Sequence, residues 1–546
     1  MTDVVDIQNL EVTFATDADP VVAVDGVSLQ VEPGEVLAIV GESGSGKTVT
    51  AKSILRLLPE TATTAGAVIL NGNNVLTLDE AKLREVRGTD AAMVFQEPST
   101  ALNPVFTVGW QIAEGLRAHG NYSKSEARAR AIDMLGKVGI PDPETRVDYY
   151  PHQFSGGQKQ RVVIAQALAL QPKVIVADEP TTALDVTVQA EILDLLRHSR
   201  DVFGVAIVLI THNMGVVADL ADRVAVMYKG VVVEQADVRT LFASPKNDYT
   251  KALLAAVPRV GARTTPRSAP TSAQPVVVAD KLEIVYPGRL GKAGFRAVDQ
   301  VSFTISPGEV LGLVGESGSG KTTIGRAIAG LTRVTGGTLT VLGKEMRGIK
   351  ERDFKPLRAD IGFVFQDPAT SFNPLLTVAE AIAEPLIVHK RAKNLAAARS
   401  RVTELLDVVH LPTAFADRYP HELSGGQRQR ASLARSIALH PSLLIADEPT
   451  SALDVSVQAR VLELFTELQK ELGFACLFIS HDLAVVDMLA DRIAVLYHGK
   501  LVEEGPSDQV LGAPRHDYTK RLLASLPVPD PVAQEVRRND RAALLG

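Results

Sequence analysis

Cysteine is almost absent from this sequence. A single cysteine, Cys476, stands among 546 residues, inside a run of apolar residues. One cysteine cannot form an internal disulfide, and no cluster of cysteines and histidines indicates a structural zinc site. We expect Cys476 to be a small buried hydrophobic residue.

Long apolar runs and an excess of positive charge are missing as well. No stretch approaches the roughly 20 apolar residues that span a bilayer, and acidic residues stand near the N-terminus where a signal peptide has basic ones. We therefore expect a cytoplasmic protein that reaches the cytoplasmic side of a membrane only through partners. The formal net charge of −7 provides no general basic field for nucleic acid. With 46% hydrophobic and 22% charged residues, the composition is that of a globular protein.

The sequence contains one set of motifs twice, in the same order, which indicates a duplicated domain. The repeated motifs are GESGSGKT at 41–48 and 315–322, SGGQ at 155–158 and 424–427, ADEPT at 177–181 and 446–450, and DYTK at 248–251 and 517–520. The stretch between the copies is rich in Pro, Ser, Thr and Ala without an apolar period, which is typical of a linker. We predict a first domain at 1–258, a flexible linker at 259–276 and a second domain at 277–546, each domain including the tail that contains its DYTK segment.

Short β-branched runs alternate with helical stretches in both copies, which predicts an α/β fold built on mostly parallel sheets. In each copy the glycine-rich loop, the acidic pair and a late histidine each follow a mostly apolar run of the kind that buried parallel strands have. These runs are 36–40, 173–177 and 206–210 in the first copy, and 310–314, 442–446 and 475–479 in the second. Open α/β sheets bind ligands at the carboxyl ends of their strands, so the motifs are placed for binding.

The GESGSGKT segment has the composition of a phosphate-binding loop. Its glycines let the backbone wrap around phosphate oxygens, and the following helix adds positive potential. Lys47 and Lys321 are predicted to reach the β- and γ-phosphates, and Thr48 and Thr322 to offer hydroxyls to Mg²⁺. The predicted ATP-binding set from these loops and the helices after them is Gly41, Ser43, Gly44, Gly46, Lys47, Thr48 and Thr50, with Gly315, Ser317, Gly318, Gly320, Lys321, Thr322 and Thr323.

Acidic pairs end the second apolar run of each copy. Asp178 and Asp447 are candidate Mg²⁺ ligands, and Glu179 and Glu448, which point the other way, are candidate bases that orient attacking water. The alternative for the glutamates is a helix N-terminal acid that the helix dipole stabilises.

Two further polar positions follow strand runs. His212 and His481 are placed to contact a γ-phosphate, although a lone histidine is more often structural. Gln96 and Gln366 can complete a metal shell through their side-chain carbonyls, or they can simply cap a strand end.

The SGGQ segment resembles a second anion-binding helix start. Its own domain already has a phosphate loop, so a second one is useful if it serves the nucleotide of the neighbouring domain.

Taken together, GxxxxGK[ST], Gln, SGGQ, Asp-Glu, Ala-Leu-Asp and a late His resemble the ATP-binding-cassette (ABC) ATPases. The resemblance implies two tandem P-loop NTPase cassettes, each with a RecA-like core, an antiparallel β subdomain and a helical subdomain. It implies ATP and Mg²⁺, and a head-to-tail pair in which each P-loop is completed by the SGGQ of the other cassette. Further ATP-binding residues follow from it: Ser155, Gly156, Gly157, Gln158, Ser424, Gly425, Gly426 and Gln427, with Asp185 and Asp454 in the Ala-Leu-Asp motifs and Phe14 and Tyr286 as adenine-stacking aromatics.

The segments FQEPSTALNP and FQDPATSFNP, together with the DYTK tails, resemble the oligopeptide/dipeptide and nickel importer ATPases in particular. That likeness implies an ATPase that energises peptide uptake, with two permease subunits and an extracytoplasmic substrate-binding protein as partners. Many such ATPases carry a cysteine cluster near the tail, which this chain lacks. The alternatives are import of another small solute such as nickel or glutathione, the ATPase of an exporter, or a soluble tandem cassette that acts on ribosomes or DNA. The short linker, rich in Pro and Ser, argues against the ribosome-acting class.

Overall fold

The apolar runs predicted as buried strands form the centres of two mixed sheets in the computed structural model. The structure describes residues 3–16, 19–182, 184–261, 274–288, 294–451 and 453–545. Most of the predicted linker, at 262–273, lies outside the described residues.

The chain divides into two compact units, the first made of residues 1–257 with 527–546 and the second of residues 258–526. The last twenty residues therefore belong to the first unit. The sequence predicts a second domain at 277–546, which includes this segment, so the structure and the predicted boundary differ here.

Over its described residues, the first unit contains ten strands and eleven α-helices before its C-terminal segment, with a 3-10 helix at Pro151–Gln153. The strands are β1 (Val5–Phe14), β2 (Val21–Val31), β3 (Val36–Val40), β4 (Ala62–Leu70), β5 (Asn73–Asn74), β6 (Ala91–Val94), β7 (Val174–Asp178), β8 (Ala206–Ile210), β9 (Arg223–Tyr228) and β10 (Val231–Asp237). The helices are α1 (Lys47–Ile54), α2 (Glu80–Val86), α3 (Pro98–Ala101), α4 (Val108–His119), α5 (Lys124–Lys137), α6 (Pro143–Arg146), α7 (Gly156–Leu168), α8 (Val186–Phe203), α9 (Met214–Leu220), α10 (Val238–Ala243) and α11 (Asp248–Ala255).

The second unit repeats this order over its described residues, except that a 3-10 helix (Thr413–Asp417) stands at the position of α6. Its strands are β11 (Val277–Tyr286), β12 (Phe295–Ile305), β13 (Val310–Val314), β14 (Gly336–Val341), β15 (Lys344–Glu345), β16 (Ile361–Val364), β17 (Leu443–Asp447), β18 (Ala475–Ile479), β19 (Arg492–Tyr497) and β20 (Lys500–Pro506). Its helices are α12 (Lys321–Ile328), α13 (Glu351–Phe354), α14 (Pro368–Ser371), α15 (Val378–Val388), α16 (Leu395–Val408), α17 (Gly425–Ile437), α18 (Val455–Leu472), α19 (Leu483–Leu489), α20 (Ser507–Gly512) and α21 (Asp517–Ala524). The last helix of the chain, α22 (Pro531–Leu545), lies in the first unit.

Each unit has the same two sheets. In the first unit an antiparallel sheet has the order β2-β1-β4-β5, and the central sheet has the order β10-β9-β3-β8-β7-β6. All pairs of the central sheet are parallel except the edge pair of β9 and β10. The second unit repeats both orders with its own strands.

The central strands are apolar along their whole length because both faces of the sheet are covered. In β3, Val36, Ala38 and Val40 face one hydrophobic cluster, which includes the helices α4, α5 and α7. Leu37 and Ile39 face the other cluster, which includes the antiparallel sheet. These observations confirm the predicted cassette fold of α/β core, antiparallel β subdomain and helical subdomain in each copy. Cys476 is fully buried in β18, as predicted, and burial raises the pKa of its thiol.

The part of the chain that the structure describes holds no helix with both the length and the apolar character needed to cross a membrane.

Candidate functional site

Each GESGSGKT loop joins the end of a central strand to a helix. In the first unit it connects β3 to α1, and Gly46 at the helix start has a φ of 99°. A Cβ atom at Gly46 would lie 2.5 Å from the carbonyl oxygen of Ala23, so only glycine fits both the left-handed backbone and the close approach. Gly320 repeats this conformation before α12, with a φ of 107°.

The lysine of each loop is buried inside the turn of the loop. Lys47 Nζ donates to the carbonyl oxygens of Gly41 at 2.8 Å and Glu42 at 2.7 Å. Lys321 Nζ donates to Gly315 at 2.7 Å and Glu316 at 2.8 Å. Both lysines are the first residues of their helices, α1 and α12. The ammonium charge and the backbone N–H groups of the helix N-terminus would together stabilise a bound phosphate.

An oxygen pair lies beside each lysine, at the end of the neighbouring strand. Thr48 Oγ1 donates to Asp178 Oδ1 at 3.1 Å, and Thr322 Oγ1 donates to Asp447 Oδ1 at 3.0 Å. Burial raises the pKa of both aspartates above the usual range, against the lowering effect of the threonine hydrogen bond. A hydroxyl and a buried carboxylate at this spacing are hard oxygen donors, which fit Mg²⁺.

Glu179 of the first site combines an unusual backbone conformation with three side-chain contacts. Its φ is 47°, an uncommon value for a residue with a side chain. Its carboxylate accepts from Gln96 Nε2 at 2.9 Å and from Thr182 Oγ1 at 2.8 Å, and it contacts His212 Nδ1 at 2.9 Å. Burial alone would raise the pKa of Glu179, but the hydrogen bond and charge of His212, with Thr182 and Lys47, lower it below the usual value.

The second site repeats this arrangement. Glu448 also has a φ of 47°, accepts from Gln366 Nε2 at 3.1 Å and contacts His481 Nδ1 at 3.2 Å. Burial would raise the pKa of Glu448, but His481, Lys321 and Gln366 lower it. Burial would lower the pKa of His481, yet the hydrogen bond and charge of Glu448 raise it. Each unit therefore keeps an ionised carboxylate, held by an amide and an imidazole, near its P-loop lysine.

The SGGQ segments begin α7 and α17. Ser155 caps α7 by accepting from the backbone N–H of Gln158 at 3.3 Å, and the side chain of Gln158 accepts from the N–H of Ser155 at 3.1 Å. Ser424 and Gln427 form the same capping box. Each helix start is exposed at its serine and first glycine. The capping box fixes the backbone there, which leaves the helix N-terminus open to an anion.

Close packing holds each SGGQ segment against the helix after Ala-Leu-Asp. A Cβ atom on Gly157 would lie 2.3 Å from Val188 Cγ1, and one on Gly426 would lie 2.2 Å from Val457 Cγ1. Asp185 caps α8 by accepting from the N–H of Val188 at 3.0 Å. Asp454 occupies the same position before α18 without a side-chain cap.

Three predicted residues lie less centrally than the rest. Thr50 is fully buried and donates to the carbonyl of Gly46 at 3.0 Å, so it faces the helix and not the open side of the loop. It stands one residue beyond the position of Thr323 in the second loop, and one residue turns a helix by about 100°. Tyr286 lies beside Thr323, with 3.4 Å between their hydroxyls, and is 40% exposed. Phe14 is half-buried against the antiparallel-sheet core.

Sequence reasoning missed a tyrosine that contacts each P-loop. The hydroxyl of Tyr249 accepts from the backbone N–H of Glu42 at 3.0 Å, and the hydroxyl of Tyr518 accepts from Glu316 at the same distance. Both tyrosines belong to the repeated DYTK tails. Their repetition was the signal that could have found them, but the tail lies some two hundred residues from the loop in sequence.

In each unit a phosphate loop, an oxygen pair and a buried carboxylate thus meet at the carboxyl edge of the central sheet. This arrangement defines the class of P-loop nucleoside-triphosphate hydrolases.

Comparison with known proteins narrows the class. The chain matches the ABC transporter family over residues 24–182 and 298–451. It also matches the oligopeptide/dipeptide transporter C-terminal region over residues 233–281 and 502–544.

Similar proteins cover nearly the whole chain. The glutathione import ATP-binding protein of Escherichia coli (strain K12) is 45% identical over 97% of this chain and 91% of its own length. The protein of the same name from Salmonella typhimurium (strain LT2) is 46% identical over 98% and 91%. A solved dimeric ATP-binding cassette, in a post-hydrolysis state with ADP and phosphate, aligns with 43% of this chain and 99% of its own at 31% identity, with a TM-score of 0.40. The chain belongs to the ABC transporter family, as an import ATPase with both ATP-binding cassettes in one polypeptide.

Proposed function

We propose that Glu179 and Glu448 activate the water that attacks the γ-phosphate of ATP bound at Lys47 and Lys321. The observation that carries the proposal is the constrained carboxylate in each unit, which is held at the strand end by a glutamine and a histidine. A carboxylate with a lowered pKa stays ionised at neutral pH and is available to orient water. His212 and His481 fix each carboxylate and lie where they can contact the γ-phosphate.

Mg²⁺ fits the oxygen pairs described above. Thr48 with Asp178, and Thr322 with Asp447, would hold the ion directly or through water, and Gln96 and Gln366 would complete the shell through their carbonyl oxygens. When bound, the ion neutralises charge on the β- and γ-phosphates. The side-chain N–H groups of both glutamines donate to the glutamates in this structure, which leaves the carbonyl oxygen of each amide for the metal.

ATP is proposed to bind at composite sites. By the family resemblance, the P-loop at 41–48 is completed by Ser424–Gln427, and the P-loop at 315–322 by Ser155–Gln158. The exposed, capped helix starts support this proposal, because each cassette already has a phosphate loop of its own and a second anion-binding segment can serve the nucleotide of the other cassette. Asp185 and Asp454 would act beside these segments, and Phe14 and Tyr286 would stack on adenine.

A substitution at one SGGQ segment tests this arrangement. Ser155→Arg is expected to abolish hydrolysis of nucleotide bound at Lys321 and to spare binding at Lys47, because the bulky cation blocks the segment that serves the second P-loop. Ser424→Arg is the matched control, with the reverse pattern. A photo-crosslinked ATP analogue, mapped to either P-loop by proteolysis, reports the nucleotide at Lys47 and the nucleotide at Lys321 separately. Loss of labelling at Lys47 alone in Ser155→Arg would contradict the head-to-tail arrangement.

We further propose that the partners are two permease subunits and an extracytoplasmic substrate-binding protein, at the cytoplasmic side of the cell membrane. An open groove of about 260 Å³, lined in part by Phe95, the residue before Gln96, supports a permease contact. Its lining is mostly apolar and includes Leu57, Met93 and the 39%-exposed Phe95. Nucleotide-driven changes at Gln96 would therefore reach a partner seated in this groove.

The proposed cargo is a short peptide. The match to the oligopeptide/dipeptide transporter region supports this class, and so do the relatives named as glutathione import ATP-binding proteins. Purification of the chain from its native membrane, followed by ATPase assays of the complex with dipeptides, oligopeptides and glutathione, tests the proposal. Stimulation by a peptide with its binding protein is the expected result. Co-purification with ribosomes or DNA, without any permease, would contradict it.

The double variant Glu179→Gln, Glu448→Gln tests the catalytic assignment. Each glutamine keeps the shape but loses the base, so the variant is expected to retain ATP and to lose turnover by at least about 10²-fold. Filter binding of labelled ATP and phosphate release measure the two properties. Near-normal turnover would remove the glutamates from the mechanism.

A further inference from the structure

The last helix of the chain, α22, packs on the first unit although it follows the second cassette in sequence. It contacts α9 and α10, and its Arg541 reaches Asp194 in α8. Asp530 starts it by accepting from the N–H groups of Val532 at 2.9 Å and Ala533 at 3.0 Å. Gln534 and Arg541 on one face of α22 are buried, at 6% and 8% exposure, whereas Val532 and Val536 on another face are exposed.

A chain of alternating charges joins α22 to the first unit. Arg538 donates to the carbonyl of Asp219 at 3.2 Å and contacts its carboxylate at 3.4 Å. Arg197 holds the same carboxylate at 3.0 Å and also Asp194 at 2.7 Å. Arg541 then pairs with Asp194. Because Asp219 is nearly inaccessible, with a side chain 3% exposed, its two arginine partners offset a large desolvation cost.

The backbone leading into α22 is also closely fitted. A Cβ atom on Gly215, in α9, would lie 2.7 Å from the carbonyl oxygen of Pro527. Any larger residue at position 215 would displace the segment. We call the surface made of Asp194, Arg197, Gly215 and Asp219 the docking face.

The second cassette lacks this docking face. Its equivalent positions carry Glu463, Thr466, Ala484 and Met488. The arginine that links the two acids, the buried aspartate and the glycine are all replaced, and Met488 is 37% exposed. The docking face is therefore specific to the first cassette and is not a general property of the repeated fold.

A smaller exchange of the same kind occurs after the first cassette. Residues from Pro258 onward belong to the second unit, and Gly261 N–H donates to Asp487 Oδ2, in α19, at 2.7 Å. Pro258 and Pro527 stand at equivalent positions of the two copies, directly after their tails. The chain thus passes between the units at both prolines.

We propose that residues 527–546 form a latch that keeps the two cassettes associated independently of the linker. The second unit is joined covalently to the latch at Leu526–Pro527, and the docking face binds the latch. A second attachment raises the effective concentration of one cassette near the other. The pair would then persist in the absence of nucleotide.

The test uses the full chain with a protease site inserted within 262–273. After cleavage in nucleotide-free buffer, the halves are expected to co-elute as one species on size exclusion. The same chain ending at Leu526 is expected to separate into two fragments. Separation of the cleaved full-length chain, or continued co-elution of the chain that ends at Leu526, would overturn the proposal.

Point variants keep the test independent of truncation. Arg538→Ala with Arg541→Ala is expected to weaken the association of the cleaved halves at least tenfold on dilution, because two acids of the docking face lose a partner. Asn539→Ala with Asp540→Ala, at exposed positions of the same helix, is the matched control and should elute as the parent does. Arg197→Thr with Asp219→Met gives the first cassette the residues of the second and should also release the latch. Circular dichroism of each cleaved variant verifies that both halves remain folded, and unchanged association of folded halves in both arginine variants would contradict the latch.

Discussion

The two cassettes agree closely at the carboxyl edge of their central sheets and differ on the two helices that flank the late histidine, α8 and α9 in the first cassette and α18 and α19 in the second. At the edge, the lysine, the threonine–aspartate pair and the glutamine–glutamate–histidine group have matching contacts, most within 0.3 Å of each other. On α8 and α9 and their counterparts α18 and α19, only the first cassette has the docking face. The comparison shows that the contacts at the strand ends are kept in duplicate, whereas the surface that contacts α22 differs between the two cassettes.

The largest expected effect tests whether the two edges are equivalent. Glu179→Gln and Glu448→Gln, made singly, should each lower phosphate release by at least about 10²-fold at the altered site. The reason is the same in both, since each removes a carboxylate that a histidine and a glutamine hold. Single-turnover hydrolysis, with label mapped to either P-loop, measures each site. A loss at only one site would show that the similar geometry conceals unequal catalysis.

A stability effect of intermediate size is expected where SGGQ packs on the next helix. Gly157→Ala should destabilise the first cassette by about 1–3 kcal/mol, because its Cβ would overlap Val188. Gly156→Ala is the control, since its Cβ would lie 3.9 Å from Leu184. Thermal unfolding of the two variants, with Gly426→Ala as the counterpart in the second cassette, measures the difference. Equal stability of Gly156→Ala and Gly157→Ala would contradict the packing argument.

The tail tyrosines should have a smaller and symmetrical effect. Tyr249→Phe removes the hydroxyl that accepts from the N–H of Glu42, a loss of about 0.5–1.5 kcal/mol for one hydrogen bond. ATP affinity at Lys47 should therefore fall by roughly two- to tenfold, and Tyr518→Phe should do the same at Lys321. Equilibrium binding of a fluorescent ATP analogue measures both. No change in either variant would remove the tyrosines from the set that supports the loops.

The smallest effect is expected at a contact that differs between the carboxyl edges of the two central sheets. Thr182 Oγ1 donates to the carboxylate of Glu179 at 2.8 Å, whereas the equivalent Ser451 donates to the backbone carbonyl of Glu448 at 3.2 Å. Thr182→Val should therefore lower kcat at the first site several-fold, by the loss of about 1 kcal/mol. Ser451→Ala should leave the second site nearly unchanged. Equal effects of the two substitutions would show that this difference in contacts has no consequence.

The sequence was sufficient for the features that are local in the chain. The P-loops, the acidic pairs, His212 and Gln96 all follow short apolar runs, and the parallel sheet brings the ends of those runs to one edge. Their contacts with one another confirm that they lie together, while their individual roles stay predictions. The sequence assigns Thr50 to the ATP-binding set because it stands close to the P-loop. It lies one residue beyond the position of Thr323, and the helix turns by about 100° per residue, so its side chain points into the protein.

The features that the sequence did not provide depend on contacts between distant segments. Tyr249 meets the P-loop because α11 returns to the edge of the sheet, and no periodicity in the tail indicates that return. The amphipathic pattern of α22 predicts a helix with a buried face, but it cannot say which surface covers that face. The acids that receive Arg538 and Arg541 lie more than three hundred residues earlier.

Backbone amide hydrogen exchange tests the central claim in a single experiment. The claim is that the two cassettes have equivalent nucleotide-binding edges, but that only the first has the docking face. ATP with Mg²⁺ should protect α1 and α12 to a similar degree in the chain carrying Glu179→Gln and Glu448→Gln. Removal of residues 527–546 should accelerate exchange in α9 and leave α19 unchanged. Protection of only one P-loop helix, or faster exchange in α9 and α19 alike, would contradict the account.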